Sequence, residues 1–456
     1  MQAFRHYLTS RFAYLPLVEG LLLVLSMVLG FEFRWRSENY LGWIPHAFAF
    51  AAVMLLVMTS FGLYDRNSEP FRVTVQRILS AYLVTLTIAA LAFYLLPQLK
   101  LGRGVFAITS VFAILGLLVI RYAAHQAVML RLPANRVLVV GEGPEAEEVM
   151  KLLRVRAGGR APRFAAQVRV IPPGEASDTE RGIDADFLPQ VVKQRKISEI
   201  VVAVRDRRGG GEPLEKLLEC KLMGVNILDL ATFYERELGL IKLEHLRPSW
   251  LIYGSGFDQS RLRVLVKRTF DLSASSALLL LTAPVMCLTA LAVWLESDGP
   301  VLFRQERVRD GGKHFMMLKF RSMSQDAEKD GTPRWASTGD KRVTRVGKTI
   351  RRLRIDELPQ LLNVLKGDMS FVGPRPERPF FVNQLRECIP YYELRHNVRP
   401  GITGWAQVRL EYGASVEDAS GKLQYDLYYV KHHSLFLDLM ILFETVQVVL
   451  LGKGAR

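Results

Sequence analysis

Cysteine is scarce: three among 456 residues, at positions 220, 287 and 388. They are too far apart for a disulfide framework or the paired ligands of a structural zinc site, and they read as small buried apolar side chains. Acidic residues are also short, 45 Asp and Glu against 60 Lys and Arg, for a formal net charge of +15 and an isoelectric point near 9.7. Such a surplus invites nucleic acid. Yet the cations are spread over loops and helices without a nucleic-acid module or an aromatic stacking motif, so nucleic acid is not an expected partner. No cleavable signal and no internal repeat is expected. What abounds is apolar: half the residues are hydrophobic and mean hydropathy is +0.14. Apolar segments with a basic surface point to a membrane protein facing anionic lipid or phosphorylated substrates, with room for two or three domains.

Four apolar stretches, about Leu15 to Phe31, Trp43 to Tyr64, Ala81 to Leu96 and Val105 to Ile120, each approach the length a helix needs to cross a bilayer. With the N-terminus in the cytoplasm, Arg5, Arg11, Arg66, Arg72, Arg77, Arg121, Arg131 and Arg136 lie inside, against Arg34, Arg36, Lys100 and Arg103 outside. The positive-inside rule supports that orientation, and an even number of spans leaves the rest of the chain cytoplasmic.

Next, the β-branched run Arg136 to Val140 enters Gly141-Glu-Gly143-Pro-Glu-Ala146 and a helical pattern through Leu153, the strand, glycine turn and helix of a βαβ unit. Buried-strand patterns occur further on at Ala165 to Ile171, Glu199 to Val204 and Val225 to Leu230, with a helix at Pro213 to Met223 between the last two. A parallel α/β sheet is expected. Gly141 and Gly143 are candidate cofactor-binding positions, although the same pattern also serves to seat a helix tightly on a strand. Gly209 to Gly211 lack the following Lys-Ser or Lys-Thr of a phosphate loop and read as a connector.

A fifth apolar run, Leu272 to Leu295, carries Pro284 in its middle. Arg261, Arg263, Lys267 and Arg268 precede it and Arg304, Arg307 and Arg309 come after it, so both ends read as cytoplasmic. A re-entrant helix-break-helix over about 266–297, broken at Pro284, is expected. Near the C-terminus, Leu435 to Leu451 reads as an amphipathic packing or interfacial helix, because Asp438 and Glu444 interrupt it.

The last third concentrates charge, glycine and proline in Lys319-Phe-Arg-Ser-Met323, Arg351-Arg-Leu-Arg-Ile-Asp-Glu-Leu-Pro-Gln360, Gly367-Asp-Met-Ser-Phe-Val-Gly-Pro-Arg-Pro376 and Arg399-Pro-Gly-Ile-Thr-Gly404. Arginine is a natural fork for phosphate oxygens, so Arg321, Arg351, Arg352, Arg354, Arg375, Arg378 and Arg399 are candidates to neutralise a diphosphate. Asp356 and Glu357 form an acidic pair in this basic setting, where positive charge should keep both ionised. Neighbours on a helix point about 100° apart, so the two carboxylates should divide the work, one attacking phosphorus and one holding a metal. Magnesium is the expected ion, since it prefers oxygen and offsets repulsion between carboxylate and diphosphate.

These motifs, in this order, resemble the bacterial sugar transferase family, the monotopic polyprenyl-phosphate phosphoglycosyl transferases, over about Arg261 to Arg456. The N-terminal helices and α/β segment make the whole chain similar to the large members that initiate exopolysaccharide or O-antigen repeat units. The resemblance implies an α/β membrane protein in three parts: four transmembrane helices (1–130), a Rossmann-like domain (131–260) and a mainly helical, membrane-associated catalytic domain (261–456). It implies transfer of a sugar 1-phosphate from a UDP-sugar to undecaprenyl phosphate at the cytoplasmic face of the inner membrane. Asp356 would form a covalent phosphosugar, releasing UMP, and Glu357 would help to bind Mg2+. Lys319, Arg321, Arg354, Pro374, Arg375 and Pro376 would bind substrate, and Lys267, Arg268 and Asp271 match the start of the re-entrant helix. Ala283 stands where the family often has Ser. UDP-glucose or UDP-galactose is the expected donor class, with N-acetylated sugars open, and inner-membrane lipids and a second copy of the chain are further expected partners.

Two rival functions are weaker. A nucleotide-sugar dehydratase or epimerase using NAD would carry Tyr-x-x-x-Lys, but Leu238 and Phe257 lie four residues after Tyr234 and Tyr253. A non-enzymatic export scaffold would not need the intact Asp-Glu pair and Pro-Arg-Pro motif.

Overall fold

The computed structural model describes residues 15–34, 44–61, 63, 71–95, 102–130, 136–141, 143–156, 165–171, 182–204, 214–246, 248–253, 256–257, 260–324, 342–410, 413 and 415–450. It is mostly helical and divides into two compact units between Glu237 and Leu238.

The first unit opens with the apolar helices α1 (Leu15–Arg34), α2 (Ile44–Ser60), α3 (Phe71–Leu95) and α4 (Arg103–Leu130). Leu23, Met27, Met54, Met58, Ile78 and Leu117 close their shared core. The outward residues are apolar as well: Leu17, Leu21, Leu83 and Val119 are each about two-thirds exposed or more. Helices apolar all round suit lipid surroundings. Leu15–Phe33 and Gly104–Ala124 are long and apolar enough to cross a membrane; Ile44–Met58 and Thr74–Ala90 are shorter apolar stretches. Arg121, placed at the charged rim by the sequence, is buried instead. Its guanidinium donates to the carboxylate of Glu19 (Nη2 to Oε2, 2.9 Å) and to the Leu63 carbonyl, tying α1, α4 and the end of α2. A charge in an apolar bundle needs such a partner, and Glu19, inside an otherwise apolar run, provides it.

The α/β part of this unit has β1 (Val137–Val140), α5 (Pro144–Arg156), β2 (Ala165–Ile171), β3 (Gly182–Asp184), α6 (Leu188–Arg195), β4 (Glu199–Val202), α7 (Leu214–Leu222) and β5 (Asn226–Asp229), succeeded by α8 (Leu230–Leu238). All strand pairs are parallel, in the order β3-β2-β1-β4-β5, with Leu138 opposite both Ala166 and Ile200. Strands β1 and β4 are fully buried, as a sheet covered on both faces requires, and Glu199, the charged residue in them, is paired with Arg236 of α8. Strand β3 and helix α6 carry too short a signal to be anticipated. Gly141 has φ +141°, and a Cβ there would sit 2.2 Å from the Ala203 carbonyl oxygen. Its place in the turn is therefore fixed by backbone packing between β1 and the end of β4. The Gly209 to Gly211 connector lies outside the described residues.

The second unit contains α9 (Pro248–Tyr253), α10 (Arg261–Glu296), the antiparallel hairpin β6 (Leu302–Val308) and β7 (His314–Phe320), then α11 (Arg345–Arg352) and a 3-10 turn at Ile355–Glu357. Beyond the turn come α12 (Gln360–Lys366), β8 (Ser370–Val372), α13 (Pro379–Cys388), β9 (Gly401–Thr403), α14 (Trp405–Arg409), α15 (Val416–His432) and α16 (Leu435–Leu450). Strands β8 and β9 pair in parallel. Helix α10 continues through Pro284, where two helices separated by a break were expected. Proline removes the N–H that would bond the Leu280 carbonyl, and in the turn before it the Thr282 hydroxyl donates to the Leu278 carbonyl (2.7 Å), a contact that favours bending over a break. Only 11% of the apolar window of α10 is buried, and Leu280 and Leu281 are more than three-quarters exposed.

Candidate active site

Asp356 and Glu357 sit on the 3-10 turn after α11, entered through Arg354 in the left-handed conformation (φ +58°). On a 3-10 turn adjacent side chains point about 120° apart, so the two acids face different surroundings. Glu357 Oε1 accepts from Lys319 Nζ at 2.9 Å and Arg375 Nη2 at 2.8 Å. Lys319 arrives on β7 and Arg375 on the loop after β8, so three motifs separated in sequence converge on one oxygen. Among the described residues no ion pair holds Asp356, which is buried.

Electrostatics separate the pair. Burial pushes the Asp356 carboxyl above its ordinary value, the Glu357 charge adds to that, and Lys319, Arg351 and Arg354 only partly oppose it. Burial also acts against ionised Glu357, but Arg375 and Lys319 outweigh it and hold this carboxyl well below the usual range. The two acids thus differ: nearby positive charge is spent on Glu357 by direct contact, while at Asp356 it only partly offsets burial. Burial lowers the Lys319 ammonium, opposed by Glu357.

Local architecture explains the convergence. Asn363 on α12 receives the Leu318 N–H on its side-chain oxygen (3.0 Å) and donates its amide to the Met316 carbonyl (2.9 Å), fixing β7 beside the turn that carries Glu357. Gly373, Gly401 and Gly404 bring the other two motifs together. A Cβ on Gly373 would lie 2.3 Å from the Arg399 carbonyl oxygen, and one on Gly404 2.2 Å from the Gly373 carbonyl oxygen. The Gly373 N–H donates to Thr403 O (2.9 Å) and the Gly401 N–H to Pro374 O (3.0 Å). The dense Arg399 to Gly404 motif is thus the packing partner of the Pro-Arg-Pro loop. Behind that loop, buried Arg395 donates to the Arg375 carbonyl (2.8 Å), pairs with Asp426 (2.8 Å) and donates to the Tyr392 hydroxyl (2.6 Å). Burial raises Asp426 to about 6.

Of the residues expected to bind substrate, Lys319, Arg354, Pro374, Arg375 and Pro376 belong to this cluster or its supporting loop. Arg321 does not join them. It is buried, and its guanidinium donates to the carbonyls of Ser297 (2.6 Å) and Asp298 (2.9 Å), capping the end of α10. Asn363, Arg395 and Asp426 escaped the sequence reading. Each is a polar residue close to apolar neighbours, Asn363 among Leu361, Leu362 and Val364 and Asp426 beside Leu427, and that isolation was the available signal.

The donors also fit a magnesium ion. Among the described residues no cluster of three His, Cys, Asp or Glu forms a protein cage. Magnesium, however, commonly takes one or two carboxylates together with substrate phosphates and water. Adjacent acids, one of them strongly ionised, in a cationic surround suit an ion that arrives with a diphosphate.

Comparison with known proteins agrees with these motifs. The bacterial sugar transferase family profile matches residues 262–452. The chain is 45% identical over 257 residues to a UDP-N-acetylgalactosamine-undecaprenyl-phosphate N-acetylgalactosaminephosphotransferase of Aeromonas hydrophila, covering 56% of this chain and 60% of that protein. It is 34% identical over 341 residues to an undecaprenyl-phosphate glucose phosphotransferase of Komagataeibacter xylinus, covering 73% and 62%. A UDP-glucose:undecaprenyl-phosphate glucose-1-phosphate transferase of Caulobacter vibrioides is 47% identical over 194 residues, 42% of this chain and 72% of that one. The chain spans about three-fifths of the length of the first two relatives.

Proposed function

The chain belongs to the bacterial sugar transferase family, and on that premise we propose that it transfers a sugar 1-phosphate from a UDP-sugar to undecaprenyl phosphate, the first membrane step of exopolysaccharide or O-antigen synthesis. The observation that carries the proposal is the inequality of the two acids: Glu357 is tied to Lys319 and Arg375, while Asp356 has no ion pair among the described residues. A carboxylate that must attack phosphorus has to keep an oxygen uncommitted.

Asp356 attacks the phosphorus that bears the sugar. The bond from that phosphorus to the bridging oxygen breaks, UMP departs with the electron pair, and an aspartyl phosphosugar forms. A phosphate oxygen of undecaprenyl phosphate then attacks the same phosphorus, giving the lipid diphosphate sugar and restoring the Asp356 carboxylate. Arg375, Lys319, Arg351 and Arg354 supply positive charge around the reacting diphosphate. Glu357 would hold Mg2+, whose charge offsets that of the diphosphate.

Two features support catalysis on one membrane face. Helix α10 touches the same unit at both ends: Arg268 donates to Val364 O (2.6 Å) and Leu365 O (2.8 Å), while Glu296 accepts the Val346 N–H (2.9 Å) and Arg321 caps residues 297 and 298. A helix of 36 residues is about 54 Å long if straight. Had it crossed a hydrocarbon core of about 30 Å, its two ends would meet different compartments. A re-entrant path over about 266–297, with the catalytic domain (261–456) on the cytoplasmic face of a bacterial inner membrane, accommodates both sets of contacts. Residues 1–130 then anchor the chain and 131–260 form a Rossmann-like domain.

The donor is a UDP-hexose; relatives named for glucose and for N-acetylgalactosamine leave its identity to experiment. UMP release from a panel of UDP-sugars, by nanodisc-held protein with undecaprenyl phosphate and magnesium, tests the proposal. Release with one or two sugars, lost in Asp356→Asn, is expected. No release with any sugar, or equal release by the variant, overturns it in favour of a scaffold.

A further inference from the structure

The basic residues ahead of the fifth apolar run read as a flank resting on lipid headgroups. Two residues of that segment do something else. Lys267 Nζ donates to the Val372 carbonyl (3.1 Å) and to Asp438 Oδ2 (2.6 Å). One turn later Asp271, 1% exposed, accepts the Ser370 hydroxyl and the Phe371 N–H on one oxygen, each at 3.1 Å. From the other side the buried Tyr429 hydroxyl reaches Val372 O (3.0 Å) and Asp438 Oδ1 (2.7 Å).

All of these bonds land on β8 or on the group that braces it. Ser370 and Val372 pair with Gly401 and Thr403 of β9, so the Phe371 amide points the other way and Asp271 takes the place of a third strand. Three residues beyond Val372 lies Arg375, which reaches Glu357 at 2.8 Å. The strand is short, and the position of its loop depends on what holds it.

We infer that Lys267 and Asp271, braced by Asp438 and Tyr429, are positioning residues that grip β8 and thereby set the Arg375 loop, joining the apolar helix α10 mechanically to the diphosphate site. The part concerning Arg375 rests on the transferase reading above. The clamp itself is carried by the hydrogen bonds alone. Asp438, which interrupts an apolar C-terminal run, has its reason here: fully buried itself, it pairs with the partly buried Lys267.

The test combines amide hydrogen exchange with turnover, on full-length protein in detergent and in nanodiscs of zwitterionic or anionic lipid. Lys267→Met is expected to speed exchange at residues 370–373 by about tenfold or more, the size of one lost hydrogen bond, while α15 keeps its protection. UMP release should fall by about tenfold or more, and equally in all three environments. Lys267→Arg, which keeps the donors, should stay within about threefold of native. If Lys267→Met loosens the whole fold, Asp271→Ala gives the same reading without leaving Asp438 unpaired, and Asp271→Asn, which keeps an acceptor oxygen, should behave as native.

Unchanged exchange at 370–373 in both Lys267→Met and Asp271→Ala overturns the clamp. So does a loss of activity confined to anionic nanodiscs, which would return Lys267 to headgroup binding. If native protein releases no UMP at all, the transferase reading falls, and the clamp is judged on exchange alone.

Discussion

Gly141 and Gly373 perform the same mechanical task in opposite electrostatic company. Each lets one backbone pass within van der Waals distance of another, the first against Ala203 and the second against Arg399. Around Gly373 the motifs bring Lys319, Arg354 and Arg375 to an acidic pair. After Gly141, helix α5 begins with Pro144, which has no N–H to offer, and its first turn carries Glu145 and Glu147. Negative side chains already occupy the helix end at which a pyrophosphate would be expected to bind. A glycine turn identifies where chains come close; the charge beside it decides whether an anion can enter.

The sharpest break in the comparison is catalytic. Asp356→Asn should reduce UMP release by about 10⁴-fold or more, whereas Gly141→Ala should leave release per folded molecule within about threefold. Gly373→Ala comes next: its methyl would strike the Arg399 carbonyl and displace the Arg375 loop, for an expected loss of about 10²-fold in kcat/KM.

Stability should divide the two acids in the opposite order. Asp356→Asn removes a buried carboxylate without an ion pair and should leave the melting temperature equal or higher. Glu357→Gln removes the negative charge that Lys319 and Arg375 contact and should cost about 2–4 kcal/mol, read by thermal unfolding. Their pH dependences differ in sign. Glu357, depressed in the fold, stabilises above its unfolded pKa and loses that contribution as pH falls through its folded value. Asp356, raised in the fold, costs stability above its folded pKa and relieves that cost as pH falls through it. In the proposed mechanism only the carboxylate attacks, so the acid limb of kcat should lie above the ordinary aspartate range, and a pH-rate profile checks this.

The smallest effect concerns the α/β sheet. Adding NAD, NADP or their reduced forms at millimolar concentration should shift melting of the first unit by less than about 1 °C, since a dinucleotide bound at 100 times its Kd would add about 2.7 kcal/mol. A shift of several degrees would show that the acidic helix start is no bar.

Sequence and structure agree best where periodicity is long or motifs are dense. The apolar runs became helices α1 to α4, and β1, β2, β4 and β5 lie where strand patterns placed them, although β5, read as a buried strand, is only partly buried. Asp356, Glu357, Lys319 and Arg375 stood out because folding alone seldom concentrates charge and glycine in that way. What escaped was pairing at a distance. Arg121 looks like any rim arginine until Glu19, 102 residues away, is found beside it. Arg321 looks like its arginine neighbours, and only the fold directs it to the end of α10. Three-residue β3 is held by its neighbour β2, with too few residues to show a period. The path of α10 runs on through Pro284, because proline forfeits one hydrogen bond of a long helix without having to end it, and residue type alone does not decide between the two.

Asn363 ties β7 to α12, and that tie also bears on how the chain behaves among its own copies. Among the described residues the hairpin has two strands and one edge of β7 has no strand beside it, and such an edge is a template on which another chain can add itself. By giving one acceptor to Leu318 and one donor to Met316, a single amide side chain mimics the next strand for one repeat and occupies that edge. Asn363→Leu should therefore do more than loosen the active site: it should expose an adhesive strip, and the variant should aggregate at concentrations where the native chain stays dispersed.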